Sequence, residues 1–172
     1  MLARIALARH DGDAAREEAS LAHAEDPALP LPSYVDARLL YDQGKYEDAL
    51  PGFLLAIADL KKPGAMQIGE LHFHTADTLA RLERYPEAEK EFVEELRHFP
   101  HNIRARGGLA MLYQANGQPE EAARVVGDML RITPVPESYA LAARLYTMFG
   151  DRKQAQAVRA EGRRVEKLRI QN

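Results

Sequence analysis

Along much of this chain apolar residues return at steps of three and four, which gathers them on one face of an α-helix rather than alternating them across a strand. The run Ala37-Arg-Leu-Leu-Tyr41 leads to a breaker, Gln43-Gly44, after which the helical spacing resumes with Tyr46, Ala49, Phe53 and Ala56. The same sentence recurs as Ala76 and Leu79, then Tyr85, Ala88 and Phe92, closing on Pro100. A third copy runs Leu109-Ala110, Tyr113, Gly117, Ala122, Val126 and Pro134, and a fourth runs Ala142-Ala143, Tyr146, Gly150 and Ala155. Each copy predicts a helix, a tight turn and a second helix.

The copies keep register. Ala37 and Ala49, Ala76 and Ala88, Ala110 and Ala122, and Ala143 and Ala155 are all twelve residues apart, and successive pairs begin 39, 34 and 33 residues on. A fixed period of this size marks a repeat array, in which neighbouring units bury one another's apolar faces. Alanine at both positions lets two antiparallel helices approach closely, and it is also the best helix former. Phe53, Phe92 and Val126, four residues further on, fill the space between hairpins. Proline at a unit boundary stops a helix, while Pro86 and Pro119 stand at helix starts, where a missing donor is tolerated.

These residues resemble the tetratricopeptide repeat, whose unit favours a small residue in the first helix, Gly then Tyr at the turn, and Ala, Phe, Ala and Pro through the second. The resemblance covers roughly residues 30–169. It implies an all-α fold, a right-handed α-solenoid of antiparallel helix hairpins whose first helices line a concave groove. Repeats are expected at 30–65, 66–102, 103–135 and 136–172, the last ending in a capping helix, as one continuous solenoid domain. Residues 1–29 predict a partial hairpin, helices at 1–9 and 13–25 around a turn at Arg9-His-Asp-Gly-Asp13, with no small-residue pair clearly in register.

Departures from the pattern carry their own expectations. Around Lys61-Lys-Pro-Gly-Ala-Met66 five extra residues predict a longer loop. Pro51 lies inside a second helix, where it should remove a hydrogen bond and kink or shift the helix. Glu83 replaces the turn glycine, Glu95 replaces a small packing residue, and Arg159 and Gly162 stand where Phe and Ala are favoured. A polar final repeat is what an end cap requires.

With 46% apolar and 28% charged residues the chain is neither disordered nor membrane-embedded, and no run approaches the ~20 apolar residues of a membrane span. No secretory signal is legible, although an upstream extension of the array would leave none, so cytoplasm and periplasm both stay open. The absence of cysteine removes disulfides and thiolate chemistry. A net charge of −3 gives no general reason to bind nucleic acid. The basic stretch from Arg152 to Arg169 lacks aromatics for base stacking and reads first as a solubilising cap.

Catalytic chemistry is not expected. No H-E-x-x-H, G-x-S-x-G or phosphate loop is present, and the acidic run Glu87 to Glu95 reads as a solvated helix face. His72 and His74 would point about 200° apart on a helix and could not share an ion, and His98 and His101 flank Phe99-Pro100 without a metal motif. No metal and no cofactor is predicted. Gly107-Gly108, inside a first helix, suggests close approach of a neighbour or ligand.

The resemblance places Tyr34, Arg38, Tyr41 and Asp42 on the groove, then Glu70, Phe73, His74, Asp77 and Arg81, then Arg104, Gly107, Met111 and Gln114, and finally Arg144 and Met148. Aromatics, Met and both signs of charge suit an extended peptide or a helix, with packing between hairpins as the competing role for Tyr34, Phe73 and Met111. Family members that clamp a C-terminal carboxylate use Lys, Asn, Asn, Lys and Arg where this chain has Tyr34, Arg38, His74, Arg104 and Gly108, so that chaperone-binding role is not expected. The expected function is a non-catalytic scaffold holding a protein or peptide partner. Two alternatives stand beside it. The final repeats resemble tails that follow hydrolase domains in some bacterial proteins, and the apolar face around Leu2 and Ile5 suits self-association through the N-terminal half-repeat.

Overall fold

The computed structural model describes residues 2–27 and 29–171. Among them lie ten helices: α1 (Leu2–Ala8), α2 (Gly12–Glu25), α3 (Leu31–Asp42), α4 (Tyr46–Asp59), α5 (Leu71–Arg81), α6 (Tyr85–His98), α7 (Ile103–Ala115), α8 (Pro119–Ile132), α9 (Pro136–Met148) and α10 (Arg152–Gln171). They fall into two compact units, Met1–Glu91 and Phe92–Asn172, divided within α6.

Five turns share one geometry. The backbone N–H of Asp11, Lys45, Arg84, Gln118 and Asp151 donates to the carbonyl of Ala6, Leu40, Leu79, Tyr113 and Tyr146, five residues earlier each time. This is the Schellman closure of a helix, which needs a left-handed residue just before the donor. Gly44, Gly117 and Gly150 supply it with φ of 75°, 72° and 83°. Glu83, at φ 59°, and His10, at φ 58°, adopt it without glycine's freedom, at about 1–2 kcal/mol each for an L residue.

Each predicted alanine pair is buried, from Ala49, Ala76, Ala88, Ala110 and Ala122 at 0% exposure to Ala143 and Ala155 at 2%. The turn at His10 sets the register that the sequence left ambiguous. Ala3 and Ala15, twelve apart and 34 residues before Ala37 and Ala49, are both buried. The first hairpin therefore carries a fifth pair, on a short first helix of seven residues.

In the first unit α1 packs on α2, α2 on α3, α3 on α4 and α4 on α5. Gly52 marks the tightest approach of α3 and α4, since a Cβ there would stand 3.0 Å from Ala37 Cβ. Helix α4 runs unbroken through Pro51, which is exposed and lies in its first half. In the second unit α7 pairs with α8 and α9 with α10, while α9 also packs on both α7 and α8. A Cβ on Gly108 would meet the Phe92 ring at 2.5 Å, one on Gly107 would meet Leu141 at 3.0 Å, and one on Gly162 would meet Tyr139 at 2.8 Å. Gly162 is thus a packing requirement rather than a degraded alanine.

The unexpected Glu95 is fully buried. Its Oε1 accepts a hydrogen bond of 2.8 Å from Asn102 Nδ2, while Asn102 Oδ1 accepts from the N–H of Arg104 and Ala105, each at 3.1 Å. A carboxylate in a packing position therefore holds the N-cap of the next helix.

Candidate functional site

In the first unit a polar and aromatic network spans α3, α4 and α5. Tyr41, in the last turn of α3, donates its hydroxyl to Asp77 Oδ2 at 2.6 Å. Arg81 Nε, one turn after Asp77 on α5, donates to the same oxygen at 2.6 Å. The Arg81 guanidinium lies over the Tyr46 ring, 4.8 Å from its centroid, and Tyr46 meets Tyr41 edge-on at 5.6 Å. Arg38, a turn before Tyr41, pairs with Asp42 at 2.9 Å and has its guanidinium 5.6 Å from the Tyr41 ring. Helical spacing makes this possible, because Arg38 with Asp42 and Asp77 with Arg81 are i,i+4 neighbours.

Electrostatics fix the protonation of the network. Burial, then the hydrogen bond to Asp77 and its negative charge, push the Tyr41 phenol well above its ordinary range. Arg81 is held more firmly protonated, first by its bond to Asp77. Tyr41 is accordingly a donor and Asp77 an acceptor shared by two partners. The side chains of Asp77, Arg38 and Asp42 are about a quarter exposed and that of Arg81 about half, so a partner can reach the network without unfolding it.

Other expected groove residues lie elsewhere. Tyr34 and His74 are fully buried and Phe73 nearly so. The His74 ring stacks on Phe53 at 6.2 Å and meets Tyr41 and Phe73 edge-on at 5.2 and 5.0 Å, while its Nδ1–H donates to the Glu70 carbonyl at 2.6 Å. Tyr34 sits 6.2 Å from both Phe53 and His74. These three side chains form the interior beneath the network. Glu70 is the N-cap of α5, with a left-handed backbone at φ 70°. Tyr46 belongs with the network, although the sequence marked it only as a repeat signature.

In the second unit Arg104, Met111 and Gln114 occupy α7. Arg104 and Met111 are exposed, Gln114 half-buried, and Gly107 is covered by Leu141. Arg144 and Met148 are exposed on α9. Arg106, one turn into α7, is buried and donates to the Pro100 carbonyl, and burial lowers its affinity for its proton.

Three of the histidines meet polar neighbours within their own unit. His72 Nδ1 is 2.6 Å from Glu91 Oε2, His98 Nε2 is 3.1 Å from Glu94 on its own helix, and His101 Nδ1 is 3.1 Å from Thr133 Oγ1. His98 does have an acidic neighbour, one that sequence spacing of i,i+4 could have named.

A chain of antiparallel hairpins closed by one repeated turn and sealed by paired alanines is a helical-repeat protein, of the α-solenoid class. Residues 79–145 match the tetratricopeptide repeat family model. No curated protein matches the chain in sequence. Among solved structures, the tetratricopeptide protein TTC0263 of Thermus thermophilus is 20% identical with a TM-score of 0.70, over 99% of this chain and 93% of that one. MamA is 14% identical with a TM-score of 0.66, over 100% and 98% of the two chains. YrrB, described as "a TPR protein with an unusual peptide-binding site", is 17% identical with a TM-score of 0.62, over 96% and 83%. The family match over residues 79–145 and these structures give the chain a tetratricopeptide-type helical-repeat fold. Its fold supports a protein–protein interaction scaffold in general, and among the described residues no helix is long and apolar enough to cross a membrane.

Proposed function

We propose that this chain is a non-catalytic scaffold that holds a peptide or protein segment against the faces of its first helices. In the first unit the contact surface is Arg38, Tyr41, Asp77 and Arg81, with Tyr46 at its edge. In the second unit Arg104, Met111 and Gln114 offer a second patch. The observation that carries this reading is the network on Asp77. It joins two consecutive first helices, presents two half-buried tyrosines, a carboxylate and two guanidinium groups, and leaves donors and acceptors to exchange with a partner's backbone and side chains. Aromatic and Arg side chains are enriched where binding energy concentrates. The structural neighbour with a peptide-binding site, YrrB, shares the fold and so adds support.

The test is selection from a random peptide library displayed on phage, run on the wild-type chain and on Asp77→Lys. Enrichment of related peptides by the wild type, lost by at least tenfold in Asp77→Lys with an unchanged helical circular dichroism spectrum, supports the scaffold reading. Equal enrichment by both proteins would remove the first-unit surface from it.

A further inference from the structure

We propose that the basic helix α10 of one molecule docks on the acidic helix α2 of a second copy of this chain, so that copies associate head to tail. Charge is unevenly distributed along the sequence. From Arg152 to Gln171 there are seven Lys and Arg against two Glu, a net +5, while the remainder has sixteen against twenty-four, a net −8. Much of that excess is concentrated in residues 11–26, where six Asp and Glu face a single Arg, a net −5. Helix α2 itself carries a net −3 and α10 a net +5, so two helices near opposite ends of the sequence carry opposite net charge.

Local packing leaves both sets outward. Helix α10 turns Ala155 and Val158 inward and seats Gly162 against Tyr139. Among the described residues Arg152, Lys153, Arg163 and Lys167 are exposed and form no ion pair with a carboxylate. Arg164 pairs only with Glu161 on its own helix, at 3.1 Å, and Arg169 reaches Glu137 at 3.6 Å. Helix α2 turns Ala15 and Ala19 inward. Asp13, Glu17 and Leu21, spaced by four, are exposed on its other side, as is Glu25. Asp13 shares Arg16 with Asp36, at 3.5 and 2.8 Å, and among the described residues Glu17 and Glu25 form no ion pair.

Each helix also presents apolar side chains amid its charges, Leu21 on α2 and Leu168 and Ile170 on α10, all more than half exposed. Opposed charge sets register and association rate, and apolar contact between them excludes water. The contact joins different surfaces of the two molecules, so it is heterologous: an open assembly keeps one free α2 and one free α10, and a closed ring keeps neither. A helix of 20 residues is about 30 Å long and one of 14 about 21 Å, enough for several charge pairs along one crossing.

Sedimentation velocity on the full chain tests this with two triple variants, Arg163→Glu/Arg164→Glu/Lys167→Glu on α10 and Asp13→Lys/Glu17→Lys/Glu25→Lys on α2. Thermal melts confirm that both fold, since all six sites are exposed. The wild type is expected to sediment as a concentration-dependent oligomer at about 50 mM salt and as a monomer at about 500 mM, where screening is nearly complete. Each variant alone should weaken association by at least about tenfold, because like charges then face each other. An equimolar mixture of the two should associate again, since acidic and basic helices are matched once more. A monomeric wild type at low salt, an α2 variant that still associates, or a mixture that stays monomeric would each overturn the proposal. So would binding of the monomeric wild type, but not the α10 variant, to vesicles containing phosphatidylserine or to duplex DNA, which would assign α10 to an anionic surface instead.

Discussion

Replacing Gly108 with alanine tests the packing that makes the array. The position lies within α7, so in an open helix the change would stabilise by about 1 kcal/mol. Here the added Cβ would stand 2.5 Å from both Cε1 and Cζ of Phe92, against an ordinary carbon–carbon approach of about 3.5 Å or more. Phe92 is 1% exposed, so the ring has no solvent to move into and must displace buried neighbours by about 1 Å. Overpacking of this kind costs about 1–3 kcal/mol, occasionally more, which outweighs the helix term. The balance is a net loss of up to about 2 kcal/mol, read as a fall in melting temperature of up to roughly 8 °C for a chain of this size. Gly127→Ala is the internal control. It is helical and exposed, with nothing within 4 Å of its added Cβ, and should gain about 1 kcal/mol. Pairing Gly108→Ala with Phe92→Leu removes the ring atoms in the clash, so the double variant should lose less than the sum of the two single changes. Urea melts of the four proteins check this, and a Gly108→Ala chain as stable as Gly127→Ala would refute the close packing of α7 on Phe92.

Further outcomes follow from particular residues. Glu83→Gly should stabilise by about 1 kcal/mol in a urea melt, because a left-handed backbone strains an L residue but not glycine. Asn102→Ala should cost about 1–2 kcal/mol by the same assay, since it removes the α7 cap and leaves buried Glu95 without that donor. Tyr41 has a phenol whose folded pKa lies above the unfolded one, so its contribution to stability is complete below about pH 10 and is lost as pH climbs through the folded value. Ultraviolet titration of the folded chain should find Tyr41→Phe missing one late-ionising phenol, and urea melts at neutral pH should show a loss of about 1.5–3 kcal/mol for a bond to a charged acceptor. Because burial also raises the Tyr146 phenol, an undiminished number of late-ionising phenols in Tyr41→Phe would contradict the assignment.

The helical period, the turn glycines and the four later alanine pairs were legible because each depends on residue size or backbone freedom, which a sequence displays. The first hairpin's two helices and turn were legible as well, but its register was not. Its turn carries His10 where three of the others have glycine, Gly12 stands where the next two have Tyr46 and Tyr85, and its many alanines hide which two are paired. The candidate site was legible by face but not by depth. The family resemblance put Arg38, Tyr41 and Asp77 on one side, yet burial of Tyr34, Phe73 and His74 depends on aromatic neighbours from α3, α4 and α5 that no single helix predicts. Arg81 bridging Asp77 and the Tyr46 face likewise joins α5 to α4. The charge match of α2 and α10 was present in the sequence, but separated by more than a hundred residues.

The most direct measurement is photo-cross-linking of the wild-type chain with a library-selected peptide that carries benzoylphenylalanine, followed by mass spectrometric mapping of the joined residues. First-helix binding predicts adducts on α3 and α5, around Arg38, Tyr41, Asp77 and Arg81, or on α7, around Arg104, Met111 and Gln114. Adducts confined to the second helices, at exposed Leu54 and Leu55 of α4 or Val93 of α6, would contradict it.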